Sequence, residues 1–422
     1  MSDVLFRDVR IFDGTGSAPY AGEVLVRDQS IAAVTPRAAA TRAANGSPIP
    51  AAPAAPDAQI VDARGATLMP GLVEPHAHLS WPSSIGNVIN AMKLPAEEHL
   101  LITAYNARVT LDHGYTSAYS AGSLGQRFEV ALRDQINAGH LPGPRLRASS
   151  IENAPVGVPG VPAAQDGAHA RGVEGLRTYV QQMARLGVDT IKILLSSDEG
   201  FAPGGAQMLL YTEAEVAAMG ETARAEGVWL ACHAQAAEAV KMAVRHGFRL
   251  INHCTYADTE ALDLLEANKD RLFVAPAPGL LYARVHEAAE FGIDRAAAER
   301  MGAVSGLELM QRIYPEMRRR GIRVLPGGDY GFPYNPIGRN ARDLQLFVDL
   351  FGYEPAEVLS AATRLGGELM DLPVGQIRPG YLADLLLIDG DPLQDLRILQ
   401  NKDRLLAIMQ GGRFHKPPAR PT

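Results

Sequence analysis

The chain has 422 residues, 47% of them hydrophobic and 21% charged, with a formal net charge of −7 and two cysteines. That composition describes a globular protein, and two cysteines exclude a disulfide framework. The acidic balance argues against a nucleic-acid partner, which would be met by clustered Lys and Arg, and no run of about 20 apolar residues offers a membrane-spanning helix.

The opening MSDVLFRDVRIFDG has acidic residues and alternation where a secretory signal has a basic segment and an apolar run, so a cytoplasmic location is expected. Residues 3–34 alternate apolar and polar with Gly or Asp at the turns, which predicts half-buried antiparallel strands. Residues 37–56 are mostly Ala, Pro, Gly and Ser, a composition that cannot build a core and reads as a surface loop. Strand character returns in IVDARGATLMPGLVEPHAHLS.

Across residues 68–370, short apolar strands alternate with longer amphipathic segments. The strand candidates are LMPGLVEPHAH, YTSAYS, RLRASSI, TIKILLS, VWLACHA, RLINHC, LFVAPA and RVLPGGD. Eight strands with helices between them predict an α/β fold, a (β/α)8 TIM barrel, whose usual size is about 250 residues before insertions. Gly187, Gly227, Gly247 and Gly321 each stand just before a strand, where a helix C-cap belongs. VGQIRPGYLADLLLIDGDPL and LLAIMQGGRFHK then alternate again. Residues 1–67 and 371–422 are therefore expected to pair into one small β-sandwich domain.

Active sites of such barrels lie at the C-terminal strand ends, so polar residues closing an apolar run are the candidates. His76 and His78 close the first strand and, being alternate residues, point to one side. Lys192 lies inside TIKILLS, where an ammonium is costly unless paired, metal-bound or modified; the plainer reading is a lysine that snorkels or pairs with a carboxylate such as Asp198. His233 and His253 close the next two strands, and Asp329 closes the eighth. Imidazoles and a carboxylate at one barrel end are zinc-type ligands. Cys232 and Cys254 are expected to pack in strand interiors. His113, His140 and His246 read as helix-end residues, while His99, His286 and His415 have no strand-end context. Trp81 follows His78 by three residues, and Tyr330 and Phe332 adjoin Asp329; all three are candidate walls of an apolar substrate pocket.

Over essentially its whole length the chain resembles the amidohydrolase superfamily. The resemblance rests on the opening β segment, MPGLVEPHAH, TIKILLS, ACHA, INHCT, GGDYGFP, NARDL with AATRLGGELM, and the closing PGYLADLLLIDGDPL, in that order. The 41-residue step from Lys192 to His233 and the 20-residue step from His233 to His253 resemble the prolidase-like and ochratoxinase-like branch. The resemblance implies two divalent metal ions, zinc first among them, bridged by a Lys192 carbamylated by CO2. His76, His78 and Asp329 would hold one ion, His233 and His253 the other. It implies a metal-dependent amidohydrolase in which a metal-bridging hydroxide attacks a carbon–nitrogen bond and Asp329 serves as general acid and base.

The substrate implied is a small aromatic or apolar amide, peptide-like compound, carbamate or urea. Ochratoxin-type and dipeptide amides are the first candidates, and aryl carbamates or phenylureas the alternative. A mononuclear deaminase of the same superfamily ranks lower, because Ala236 stands where those enzymes typically carry a catalytic Glu. A noncatalytic scaffold would be expected to have lost ligands, whereas all six positions are present. The resemblance also implies a homo-oligomer, often an octamer in that branch. Relatives commonly place a histidine after the third strand; here that region reads SSIENAPVGVPGV, and Asn153 or His169 are the candidate replacements. Gln235 stands where relatives often carry Tyr or His.

Overall fold

A computed structural model describes residues 3–37, 56–82, 94–155, 157, 169–200 and 204–419. The Ala/Pro-rich loop expected at 37–56 lies outside the described residues except at its two ends. Two compact units are present: one comprises Met1–Val73, Thr110–Ser117 and Glu354–Thr422, the other Glu74–Val109 and Ala118–Tyr353.

The first unit carries strands from both ends of the chain. The N-terminal set is β1 (Val4–Ile11), β2 (Tyr20–Arg27), β3 (Ser30–Pro36), β4 (Gln59–Asp62) and β5 (Thr67–Pro70). Seven further strands, β6 to β12, intervene before β13 (Leu385–Ile388), β14 (Leu405–Gln410) and β15 (Arg413–Lys416). All eight terminal strands form one sheet in the order β15-β14-β13-β5-β1-β2-β3, with β4 on β1. The two ends meet where β13 pairs antiparallel with β5, Leu387 opposite Leu68. Alternation gives this sheet its buried face, with Val4, Phe6, Val9 and Ile11 of β1 packed with Val24, Leu68, Leu385 and Met409. Asp8 takes a left-handed φ of 53° where the β1–β2 register shifts, as at a β-bulge.

The barrel strands follow in chain order: β6 (Leu72–Ala77), β7 (Tyr115–Ser120), β8 (Arg145–Arg147), β9 (Thr190–Leu194), β10 (Trp229–Ala236), β11 (Leu250–Tyr256) and β12 (Phe273–Ala275). β6, β7 and β8 form one sheet, and β9 to β12 a second, parallel one. Parallel bridges from Ser149 to Thr190 and from Asn153 to Ile193 carry the order from the β8 segment to β9. Residues of β6, β7 and β9 are buried throughout. Both faces are covered, which is why these strands read as unbroken apolar runs. The helix-stop glycines fall as the sequence predicts, with left-handed φ at Gly187, Gly227, Gly247 and Gly321. The helix Glu213–Glu226 shows the matching start, a capping box between Thr212 and Glu215.

Two elements differ from expectation. LMPGLVEPHAH is not one strand: β5 ends at Pro70 and β6 starts at Leu72. Gly71 between them passes so close to Thr116 that a side chain there would overlap it. The eighth strand is reduced to a single bridge, Val324 to Val274, flanked by Val274 N–H to the Arg323 carbonyl at 2.9 Å and Leu325 N–H to the Val274 carbonyl at 2.8 Å. Pro326 follows, without the N–H that would extend the ladder. Cys232 and Cys254 are buried free thiols, and among the described residues no helix is long and apolar enough to cross a membrane.

Candidate metal centre

His76 and His78, alternate residues at the end of β6, hold their rings 5.3 Å apart. His253 of β11 stands 5.2 Å from His76, and His233 of β10 stands 4.3 Å from His253. Asp329 enters from beyond the short eighth strand, its Oδ1 3.1 Å from His78 Nε2 and 3.7 Å from His76 Nε2. Donor atoms of His76, His253 and Asp329 all lie within 4.8 Å of one another. Strands from distant parts of the sequence thus place four imidazoles and one carboxylate at a single point.

The backbone there is unusual. His253, Cys254 and Asp329 take left-handed φ of 75°, 53° and 55°, a region that side-chain-bearing residues enter at a cost and mostly at functional sites. Neighbours hold them: Tyr314 donates to the His253 carbonyl. Asn335 donates to the carbonyls of Gly328 (2.9 Å) and Asp329 (3.2 Å).

Burial keeps the imidazoles of His76 and His253 well below their ordinary pKa and lowers that of His233, so all three are neutral. Burial would raise the Asp329 carboxyl, but His76, His78 and His253 outweigh it and hold that group well below the usual carboxylate range. Neutral imidazoles around an ionised carboxylate are the protonation states that metal ligation needs. His76 Nε2 is buried without a hydrogen-bond partner. The Asn252 amide nitrogen lies 3.3 Å from His76 Nδ1, and the amide oxygen has no partner. Turned about its axis, that amide would accept the Nδ1 proton and leave the Nε2 lone pair for a cation. The donor set therefore fits a divalent metal.

Lys192, 1% exposed, donates to the Ala121 carbonyl at 2.8 Å and pairs with Glu152 Oε1 at 3.1 Å. Its carboxylate partner is thus Glu152 and not Asp198. Asp198 lies instead 3.8 Å from His233 Nε2 and accepts from Gln235 Nε2 at 2.7 Å. Trp81 sits 5.1 Å from the His78 ring and 5.4 Å from Phe332, which stacks on Tyr334 at 5.5 Å. The structure therefore brings Trp81, Phe332 and Gln235 to the cluster.

It engages the other candidates elsewhere. Tyr330, expected in the pocket wall, is fully buried and donates to Asp343 Oδ1 at 2.8 Å, a brace within the fold. The Asn153 amide is taken at both ends, donating to Tyr211 Oη at 2.7 Å and accepting from Ala170 N–H at 3.1 Å. His169 Nδ1 lies 2.9 Å from the Ala154 carbonyl. Three residues of the site have no signal in the sequence pattern: Glu152, Asn252 and Tyr334. Glu74 does have one, sharing the strand parity of His76 and His78. It accepts from His76 N–H (2.9 Å) and from Asn340 (2.7 Å) of the NARDL segment, and burial pushes its carboxyl up to about 8.

The model of the amidohydrolase family matches residues 67–414. The chain is 25% identical over 386 residues to ochratoxinase of Aspergillus niger, a match covering 83% of this chain and 76% of that protein. A solved Xaa-Pro dipeptidase with bound methionine in its active site aligns with a TM-score of 0.83 at 24% identity, covering 98% of this chain and 100% of that one. The A. niger ochratoxinase structure aligns at 0.78 with 20% identity, over 99% and 96% of the two chains. At these identities the structural likenesses carry the fold, a TIM barrel with a β-rich domain. On the family match, which runs from β5 to β15, the chain belongs to the amidohydrolase family and is a hydrolase acting on carbon–nitrogen bonds.

Proposed function

We propose that the chain is a metal-dependent amidohydrolase that cleaves the amide bond of a small peptide-like substrate carrying an aromatic or apolar group. The observation that carries this reading is the convergence of His76, His253 and Asp329 donors within 4.8 Å, with His76 Nε2 buried and unbonded. His76, His78 and Asp329 would hold one ion and His233 and His253 a second. Zinc is the first candidate for imidazole and carboxylate donors. Bound there, two divalent ions would polarise a carbonyl and lower the pKa of water.

Lys192 completes the set once carbamylated. The ammonium first gives up a proton; the freed amine nitrogen then forms a bond to the carbon of CO2 and releases a second proton to solvent, which leaves an anionic oxygen donor in place of a costly buried cation. Asp329, held ionised, takes the proton of the attacking water at Oδ1 and returns it to the departing amide nitrogen. Trp81, Phe332 and Tyr334 wall the approach and offer aromatic surface to an apolar substrate group. The relative named ochratoxinase and the neighbour named Xaa-Pro dipeptidase support a peptide-like amide.

The test is a hydrolysis screen of metal-loaded protein against N-acyl aromatic amino acids, dipeptides, neutral aryl amides, aryl carbamates and phenylureas. Turnover of the first two classes is expected. Turnover confined to carbamates and ureas would overturn the substrate reading, and full activity in a metal-free preparation would overturn the mechanism.

A further inference from the structure

Arg284 lies in the helix Pro278–His286 that follows β12, and it is 7% exposed. Its Nε donates to Tyr334 Oη at 3.3 Å, and its guanidinium carbon stands 5.9 Å from the centre of the Phe332 ring. Phe332 adjoins Trp81, and Trp81 adjoins His78. One aromatic wall thus runs from this cation to the metal ligands. Among the described residues, no carboxylate forms an ion pair with the guanidinium and its terminal nitrogens donate to no other group; Asp198 and Asp329 act on it only from a distance.

Asp198 offsets the arginine's charge through space, but no ion pair or hydrogen bond joins the two. Asp198 Oδ1 already accepts from Gly200 N–H at 2.6 Å and Oδ2 from Gln235 at 2.7 Å. The two charged groups flank the same stretch of backbone: a methyl added at Gly200 would lie 2.7 Å from Asp198 Oδ1 and 2.9 Å from Arg284 Nη1. A guanidinium cannot shed its proton, and a buried charge without a partner is unfavourable. Only one of its five N–H donors is engaged among the described residues; the terminal pair matches the two oxygens of a carboxylate.

We propose that Arg284 receives a carboxylate of the substrate, so that the enzyme selects amides bearing a free acid group, N-acyl amino acids and dipeptides, over neutral amides. Identifying that anion with the substrate rests on the amidohydrolase reading above. The aromatic wall takes the apolar part of the same molecule, between the anchored carboxylate and the scissile amide at the histidines.

The test reads binding without turnover. Calorimetric titration compares 3-phenylpropanoate with its neutral isostere 4-phenylbutan-2-one on metal-loaded wild type, Arg284→Met and Arg284→Gln. Wild type is expected to bind the acid at least ~10-fold tighter than the ketone, the gain of charge-assisted hydrogen bonds. Both variants are expected to keep their Tm, lose at least ~10-fold in acid affinity and hold ketone affinity within about 2-fold. No acid preference in wild type, or a preference kept in the variants because the acid sits on the metal, overturns the proposal. So does unfolding of both variants, which would make Arg284 a structural brace. A screen without any amide cleavage, alongside an intact Arg284-dependent preference, would overturn the hydrolase mechanism and leave the anion site standing.

Discussion

Three carboxyls buried around the centre are tuned in opposite directions. Burial pushes Glu74 up to about 8 against hydrogen bonds from Asn340 and the His76 N–H, and pushes Asp343 up to about 6 against the pull of Arg342 and Tyr330. Asp329, ringed by imidazoles, is driven down. Of the three it alone is firmly ionised near neutral pH and so able to receive a proton during attack. Asp329→Asn is therefore expected to keep the fold and its bound metal, counted by elemental mass spectrometry, while kcat falls at least ~100-fold. A variant retaining most of its rate would remove Asp329 from the chemistry. Lys192→Ala should lose metal. A short carboxylic acid should restore part of the metal content and part of the rate, and the intact mass of the wild type should carry one extra CO2. An active enzyme with unmodified lysine would count against the carbamate.

At the scale of elements, the loop after the eighth strand holds Asp329, Phe332 and Tyr334, and its path depends on Gly331. That residue takes a φ of 143°, and a Cβ there would stand 2.7 Å from Trp81 Cβ. Gly331→Ala should push Trp81 off Phe332 and open the aromatic wall. KM for an aromatic substrate is expected to rise several-fold with a smaller change for an aliphatic one; equal changes for both would show that the wall does not read the substrate. Much of this architecture is legible in the residue pattern. Strands covered on both faces read as apolar runs, and a histidine closing such a run stands out in VEPHAH, WLACHA and LINHC. Other parts were not legible. The break at Gly71 is hidden by apolar flanks, with the Pro70-Gly71 pair its one local mark, and the pairing of Leu68 with Leu387 joins residues far apart in sequence, which no local period encodes. Glu152, Arg284 and Tyr334 are single polar residues on loops or a helix. Nothing marks such residues until the fold brings them to one place.

At the scale of the whole molecule, metal and proton binding both feed into stability. A cation that binds the folded cluster and not the unfolded chain stabilises by mass action, so a chelator should lower Tm as well as abolish hydrolysis. Loss of activity without any fall in Tm would mean that the metal is not part of the folded core. A second lever lies in the same unit at Glu129. This residue is fully buried and accepts from Ser149 N–H at 3.2 Å through Oε2, with the Ser120 hydroxyl beside it. Burial pushes its carboxyl up to about 8, against an ordinary value of 4.5. The unfolded chain releases this proton near 4.5, whereas the folded chain keeps it until near 8. Between those values the folded state binds more protons, so each unit of rising pH lowers stability by up to about 1.4 kcal/mol through this residue. Below 4.5 both states are protonated and the effect vanishes; above 8 the loss is complete. Glu129→Gln keeps an acceptor for Ser149 and removes the titration. Its Tm is expected to match wild type near pH 4, to exceed it by an amount that grows up to pH 8, and to hold a constant lead beyond. A difference that does not change with pH, or a glutamine variant that is less stable at pH 8, would show that Glu129 is ionised in the folded protein and stabilised there by its surroundings.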